Sequence, residues 1–262
     1  MALLVVTLAA LAVSALTLFS GFGLGTLLMP VFALFFPVEV AVAATAVVHA
    51  ANNVPKVALF GRRADWHVVG RFGIPGILFA FLGAAALGLL SGAEPLVGYQ
   101  LGGRSVQVTP IKLVLAVLML AFARAELLPQ ARKLTFERRW LPLGGVLSGF
   151  FGGISGHQGA LRSAFLAKSG LSTEAFVATN AVTGFLVDAA RLAVYGALFF
   201  GSHLETVKAH GGWELVAGGT AAAFGGVLVG SRVLEKVTMS AVQTLTGVLL
   251  FVIALGLGAG LI

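Results

Sequence analysis

Apolar runs of bilayer-crossing length follow one another along the whole 262-residue chain, joined only by short connections such as 92–105, 124–139 and 201–212. None of these connections could hold a soluble domain. Charged residues make up 10% of the chain and hydrophobic ones 58%, where a soluble domain carries about 25% charged residues. So little polar surface could not cover this much apolar side chain in water, and the lipid bilayer is the natural solvent. The chain has no cysteine. That excludes disulfides, thiolate metal sites and cysteine nucleophiles. The net charge of +7 does not point to nucleic acid, because the basic residues gather in a few loops, as membrane topology requires. No cofactor and no metal site is expected.

Six runs have the length of ordinary spanning helices: 39–60, 67–91, 106–124, 173–200, 213–233 and 239–261. Each holds about 20 residues, or roughly 30 Å of helix. Two further runs are interrupted. GFGLG at 21–25 breaks 2–37, and FGGISG at 151–156 breaks 140–170. Glycine costs about 1 kcal/mol relative to alanine inside a helix, so such clusters end or break helices. The N-terminal run has no positively charged residues before it, so a retained membrane segment is expected rather than a cleaved signal peptide.

Loop charge orients the runs. The connections 60–71 (Arg62, Arg63, Arg71) and 124–139 (Arg124, Arg132, Lys133, Arg138, Arg139) suit the cytoplasm, as does the 230–238 turn. The connections 92–105 and 201–212 suit the outside. Segment 140–170 then enters from the cytoplasm, and the next helix must start there too. Its two arms, about 20 Å each as helices, are too short to cross. A re-entrant hairpin fits both facts, and such a break is tolerated only where protein or a polar cavity covers the freed backbone groups. Residues 2–37 admit the same reading or a full crossing, and which side holds the N-terminus is left open.

The expected fold is an all-α polytopic membrane protein of two inverted repeats, each a broken helical hairpin plus three transmembrane helices. Residues 1–124 form the first repeat, 125–139 a basic cytoplasmic linker, and 140–262 the second. An internal alignment supports the duplication. Glu39–Gly61 overlies Glu174–Gly196 without a gap, pairing Glu39 with Glu174, Asn53 with Asp188, Lys56 with Arg191 and Gly61 with Gly196. The breaks align too, Gly21–Pro30 over Gly153–Arg162.

Transporters of this plan bind substrate near the midplane, where half-helix ends point inward. The second break, GISGHQGALR, brings Ser155, His157, Gln158 and Arg162 there. A charged side chain at a helix centre costs about 2.5–3.5 kcal/mol even on mild scales. Arg162 therefore needs a partner, either an anionic substrate or a protein group, unless it snorkels to the cytoplasmic face. His157 is a substrate donor, a proton carrier or a structural histidine. Asp188 and Arg191, three apart on one helix, form either a neutralised pair or a proton-coupling unit. His49, Asn52, Asn53 and Lys56 share one helical face beside Pro55, which would kink the helix. They line a cavity, or Lys56 snorkels toward Arg62. Thr45, Thr179 and Asn180 suit either a cavity or interhelical hydrogen bonds. Pro75 is read as a kink.

At these residues the chain resembles the sulfite exporter TauE/SafE family, also called the 4-toluene sulfonate uptake permease family. The resemblance lies in GFGLGTLLMP at 21–30 followed by AVAATAVVHAANN at 41–53, repeated degenerately as GFFGGISGHQGALR at 149–162 and FVATNAVT at 176–183. It implies transport of a small anion, such as sulfite or an organosulfonate, across a bacterial inner membrane, with a homo-oligomer as one possible assembly. The second half departs from the family pattern: His157 and Gln158 replace a Gly-rich turn, and Arg162 stands opposite Pro30. The particular anion is thus left open. Two other classes compete with a carrier. GISG at 153–156 resembles the nucleophile motif of intramembrane serine proteases, which would need a histidine within about 3 Å of Ser155 and an oxyanion hole. A membrane scaffold would have no continuous polar centre.

Overall fold

The computed structural model describes residues 1–17, 23–132, 134–199, 212–233 and 239–262. In chain order the helices are α1 (Ala2–Thr17), α2 (Leu24–Ala33), α3 (Val38–Phe60), α4 (Trp66–Ser91), α5 (Pro110–Leu127), α6 (Leu141–Ser155), α7 (Gly159–Leu166), α8 (Thr173–Phe199), α9 (Gly212–Val233) and α10 (Met239–Gly258). Among the described residues α4, α8 and α9 are long and apolar enough to cross a membrane by length and composition alone. α3 runs for 23 residues, but His49, Asn52, Asn53 and Lys56 interrupt its apolar surface. α5 is 18 residues long and carries Lys112, Arg124 and Glu126.

Local chemistry sets the ends. Asp65 caps α4 by accepting from the backbone N–H groups of His67 and Val68 at 3.0 and 3.1 Å. Pro75 has no N–H to give to the preceding turn, and that turn widens to a π-turn over Val69–Gly73. Where a kink is expected at Pro75, the helix carries this π-turn. Thr109 caps α5, with Pro110 at its first position.

One element departs from the all-α expectation. Val97–Leu101 (β1) and Arg104–Val108 (β2) form an antiparallel hairpin, so the helix expected from 106 begins at Pro110. The turn is Gly102–Gly103, both at positive φ. A Gly-Gly pair between β-forming residues is the pattern of a two-residue hairpin turn. The loop 201–211 and the turn 234–238 lie outside the described residues.

Both interrupted segments fold back on themselves. Gly156 ends α6 in the left-handed conformation at φ 81°, and α7 returns to the start of α6. There Phe136 N–H donates to the Ala164 carbonyl at 3.3 Å, Glu137 bridges to Lys168, and the rings of Phe136 and Phe165 stack at 4.1 Å. In the first half Gly23, at φ 109°, precedes α2. Val13 near the end of α1 packs with Leu24 and Leu27 at the start of α2, whereas Val6 and Ala10 join Phe32 and Phe36 at its end. α1 and α2 therefore run antiparallel to each other, and the N-terminus lies on the same face as Glu39.

Packing between the halves is reciprocal. α4 of the first half lies along α6 of the second, and α9 of the second lies along α1 of the first. α3 pairs with α8, and α5 with α10. The α4–α6 contact runs along a stripe of small residues. A Cβ on Gly145, Gly149 or Gly153 would collide with the carbonyl oxygens of Phe72, Gly76 and Ala80. Glycines four apart let helix backbones approach this closely. Gly226 faces the Leu11 carbonyl of α1 in the same way.

The loops sort onto two faces. Arg138 pairs with Asp65 at 3.1 Å, Arg63 with Glu174 at 2.7 Å, and Arg132 donates to Ser240 and Thr244 at 2.9 and 2.8 Å. The connections 60–71 and 124–139 thus share a face with the starts of α8 and α10. On the other face Tyr99 donates to the Ala259 carbonyl and Lys112 to the Gly260 carbonyl. A cavity of about 600 Å³ opens there, lined in part by Phe36, Glu39, Gln107, Thr109, Lys112 and Ile262.

Gly149→Ala should lower stability by about 1–3 kcal/mol through overpacking. Gly92→Ala, where the added methyl meets open space, should leave it unchanged. Thermal unfolding in detergent checks both, and equal midpoints for the two variants would contradict the close α4–α6 approach.

Candidate functional site

The polar residues of the broken segments and of α3 and α8 converge at the hairpin tips. A Cβ on Gly25, in the first turn of α2, would lie 3.3 Å from the Gly156 carbonyl and 3.8 Å from the His49 ring. The two breaks therefore touch, with Thr45 beside them at 3.9 Å from the same point.

Asp188, fully buried, is the hub. Its Oδ1 accepts from Arg191 Nε at 3.0 Å, from Arg191 Nη2 at 2.8 Å and from Gln158 Nε2 at 2.7 Å. Its Oδ2 meets His49 Nδ1 at 2.5 Å. One carboxylate thereby ties together α3, the α6–α7 break and α8. A buried carboxylate is tolerable only with this degree of pairing and hydrogen bonding.

Arg191 also serves the backbone. Its Nη1 donates to the Gly152 carbonyl at 3.0 Å, and Tyr195 donates to the Gly153 carbonyl. These carbonyls belong to the last turn of α6, which carries the negative end of the helix dipole, and the Gly152 carbonyl also accepts from the Gly156 N–H at 2.9 Å. A cation and a phenol from α8 close that end.

Arg162 is 1% exposed, so it does not snorkel. Its Nε donates to Asn180 Oδ1 at 2.6 Å and its Nη1 to Gln158 Oε1 at 2.9 Å. Both acceptors are neutral, and among the described residues Arg162 forms no salt bridge with a carboxylate. Gly184 makes room for it: a Cβ there would lie 3.0 Å from both terminal nitrogens of the guanidinium. Ser148 fixes the break by donating to the Gln158 carbonyl at 2.9 Å.

His49, Gln158, Arg162, Asn180, Asp188 and Arg191 thus form one network, with Asn53 at 3.3 Å from His49. Other candidates lie elsewhere. Ser14 of α1 donates its single hydroxyl proton to the Ala223 carbonyl of α9 at 2.7 Å, and the Asn52 side-chain amide lies 3.1 Å from the same hydroxyl. Thr179 accepts from the Asp65 backbone at 3.0 Å, so it secures the α3–α4 connection. Lys56 is half-buried, with no hydrogen bond among the described residues. His157 stacks on Phe122 at 5.2 Å and places Nδ1 3.1 Å from Ser155 Oγ. Its buried Nε2 has no hydrogen-bond partner among the described residues. The Ser155 hydroxyl itself donates to the Phe151 carbonyl at 2.8 Å. The serine proton is therefore directed at a carbonyl, which does not make Ser155 an activated nucleophile.

Ser148, Tyr195 and Gly184 escape a reading of the sequence. Tyr195 carries one legible signal, since it lies a helical turn beyond Arg191 and shares its face.

These features define a predominantly helical membrane protein whose charged centre is enclosed where two pairs of broken helices meet. The chain belongs to the sulfite exporter TauE/SafE family, a transporter family, whose model matches residues 6–257. No curated protein and no solved structure matches it.

Arg191→Met leaves Asp188 buried without its ion pair and should cost about 3–5 kcal/mol of stability. The double variant Arg191→Met/Asp188→Leu should regain part of that loss in thermal unfolding. A double variant no more stable than the single would show that the lost pair is not the cause.

Proposed function

We propose that this protein is a secondary carrier for a small sulfur oxyanion such as sulfite or an organosulfonate. It works by alternating access between two inverted repeats, 1–124 and 140–262, on either side of the basic linker 125–139. The observation that carries the reading is Arg162: a fully buried cation held by neutral groups, at the tips of two touching hairpins. A buried guanidinium costs several kcal/mol unless an opposite charge joins it, and its planar fork of donors suits the oxygens of an oxyanion. Reciprocal packing of α4 on α6 and α9 on α1 supports the inverted repeats, because a two-fold relation swaps like elements.

Substrate binds at Arg162, with Gln158, Asn180, His49 and Asn53 shaping the pocket. The side chains fill the centre in the present closed state, so access requires the hairpin tips to part toward one face at a time. Asp188 holds Arg191 and receives His49, which makes that pair the natural place for a coupled proton. Ser155, His157, Asn52 and Thr179 support the walls. Lys56 lines the route toward the face carrying the 60–71 connection. The bilayer of a bacterial inner membrane is the expected setting.

Arg162→Ala should abolish sulfite flux in proteoliposomes while the protein still elutes as a folded species. Normal flux would remove Arg162 from the site. Ser155→Ala should leave flux largely intact, since its hydroxyl is committed to the Phe151 carbonyl.

A further inference from the structure

Two cations inside the protein, one from each half, have no salt-bridge partner among the described residues: Lys56 and Arg162. The packing of α3 on α8 places them together. The two helices run antiparallel, and three contacts fix their register. His49 meets Asp188, a Cβ on Gly61 would lie 3.8 Å from the Val182 side chain, and the Asp65 backbone N–H donates to Thr179 at 3.0 Å. Lys56 falls between the first two contacts, about two helical turns from His49 and on the same face. It therefore lies beside the stretch of α8 that holds Gly184. That is where α8 gives way to the Arg162 guanidinium, since a Cβ on Gly184 would lie 3.0 Å from both of its terminal nitrogens. Lys56 of α3 thus faces Arg162 of α7, and Arg162 is the charged group that acts on it, by repulsion.

Neither cation is saturated. Lys56 is half-buried and makes no hydrogen bond among the described residues. Arg162 gives Nε to Asn180 and Nη1 to Gln158, both neutral, and its Nη2 makes no hydrogen bond among the described residues. The buried carboxylate of Asp188 takes donors from His49, Gln158 and Arg191 and bonds to neither Lys56 nor Arg162. The internal alignment shows the same asymmetry. Lys56 pairs with Arg191, but Asn53 stands where the second half has Asp188. Arg191 has an acid one turn before it, and Lys56 has an amide there.

Resting on the carrier reading above, we propose that Lys56 is a second substrate-binding residue, and that the transported oxyanion lies between its ammonium and the Arg162 guanidinium. Two like charges facing each other in a low-dielectric interior repel, and an anion between them replaces repulsion with attraction on both sides. Arg162 presents a planar fork fixed by Asn180 and Gln158, with Nη2 left for an oxygen of the anion. Lys56, a point charge on a flexible stem, follows the anion from the other side. A bound anion then bridges α3 of the first half and α7 of the second, and its arrival draws the halves together.

Purified protein in detergent, titrated with sulfite and with methanesulfonate by calorimetry or ligand-dependent thermal shift, tests the clamp. Lys56→Met keeps most of the stem and removes the charge. It should weaken binding of both anions more than about tenfold. Without anion the same variant should unfold at the wild-type temperature or above it, because the repulsion on Arg162 is gone. Lys56→Arg, which keeps the charge, should retain most of the affinity. Wild-type affinity in Lys56→Met would overturn the clamp and leave Arg162 and the carrier reading in place. So would a Lys56→Met protein that unfolds earlier without anion or does not fold, since Lys56 would then have a partner in the anion-free protein. Equal losses in Lys56→Met and Lys56→Arg would trace the effect to shape rather than charge and overturn it as well. A wild type that binds neither anion would overturn the carrier reading and the clamp together.

Discussion

The structure turns on one carboxylate. Asp188 sits where three parts of the chain meet, and each sends it a donor: His49 from α3, Gln158 from the break between α6 and α7, and Arg191 from its own helix. In hydrocarbon, neither arginine could remain charged alone, and the break could not expose its backbone. Asp188 addresses both problems. It neutralises Arg191, which in turn closes the carbonyl end of α6. Through Gln158 it also orients Arg162.

Around that centre the halves are held chiefly by shape, with exposed ion pairs such as Arg63–Glu174 adding little. Lipid tails are as apolar as leucine, so helices in a membrane gain little from hydrophobic burial and associate by close packing. The glycine stripe of α6 against α4, and Gly226 of α9 against α1, provide it. Each hairpin is thus bound most closely to a helix of the other half. That arrangement fits a carrier in which a hairpin and its companion helix move as one body.

Much of this was legible in the sequence, because polar residues in apolar runs are conspicuous. Arg162, Gln158, His49, Asp188 and Arg191 stand out for that reason, and the glycine breaks mark both hairpins. The grouping of the basic connections on one face also followed from loop charge. What the sequence does not supply is the neighbour of each polar group. Thr179 and Asn180 are adjacent in the chain, yet one ties down the Asp65 backbone and the other holds Arg162. His157 and Gln158 diverge in the same way, one toward Phe122 and the other toward Asp188. The β1–β2 hairpin was readable from Gly102–Gly103 and its flanking residues, but the apolar run that follows drew the helix start too early. Gly184 carries no signal at all, since its value lies in the side chain it lacks.

The meeting of Gly25 with Gly156 has a consequence for which residues position 25 accepts. The first turn of α2 and the end of α6 approach until a methyl on residue 25 would lie 3.3 Å from the Gly156 carbonyl, with the His49 ring and Thr45 just beyond. Any side chain larger than hydrogen there must push the two tips apart, so that one missing methyl sets the spacing at which the halves meet.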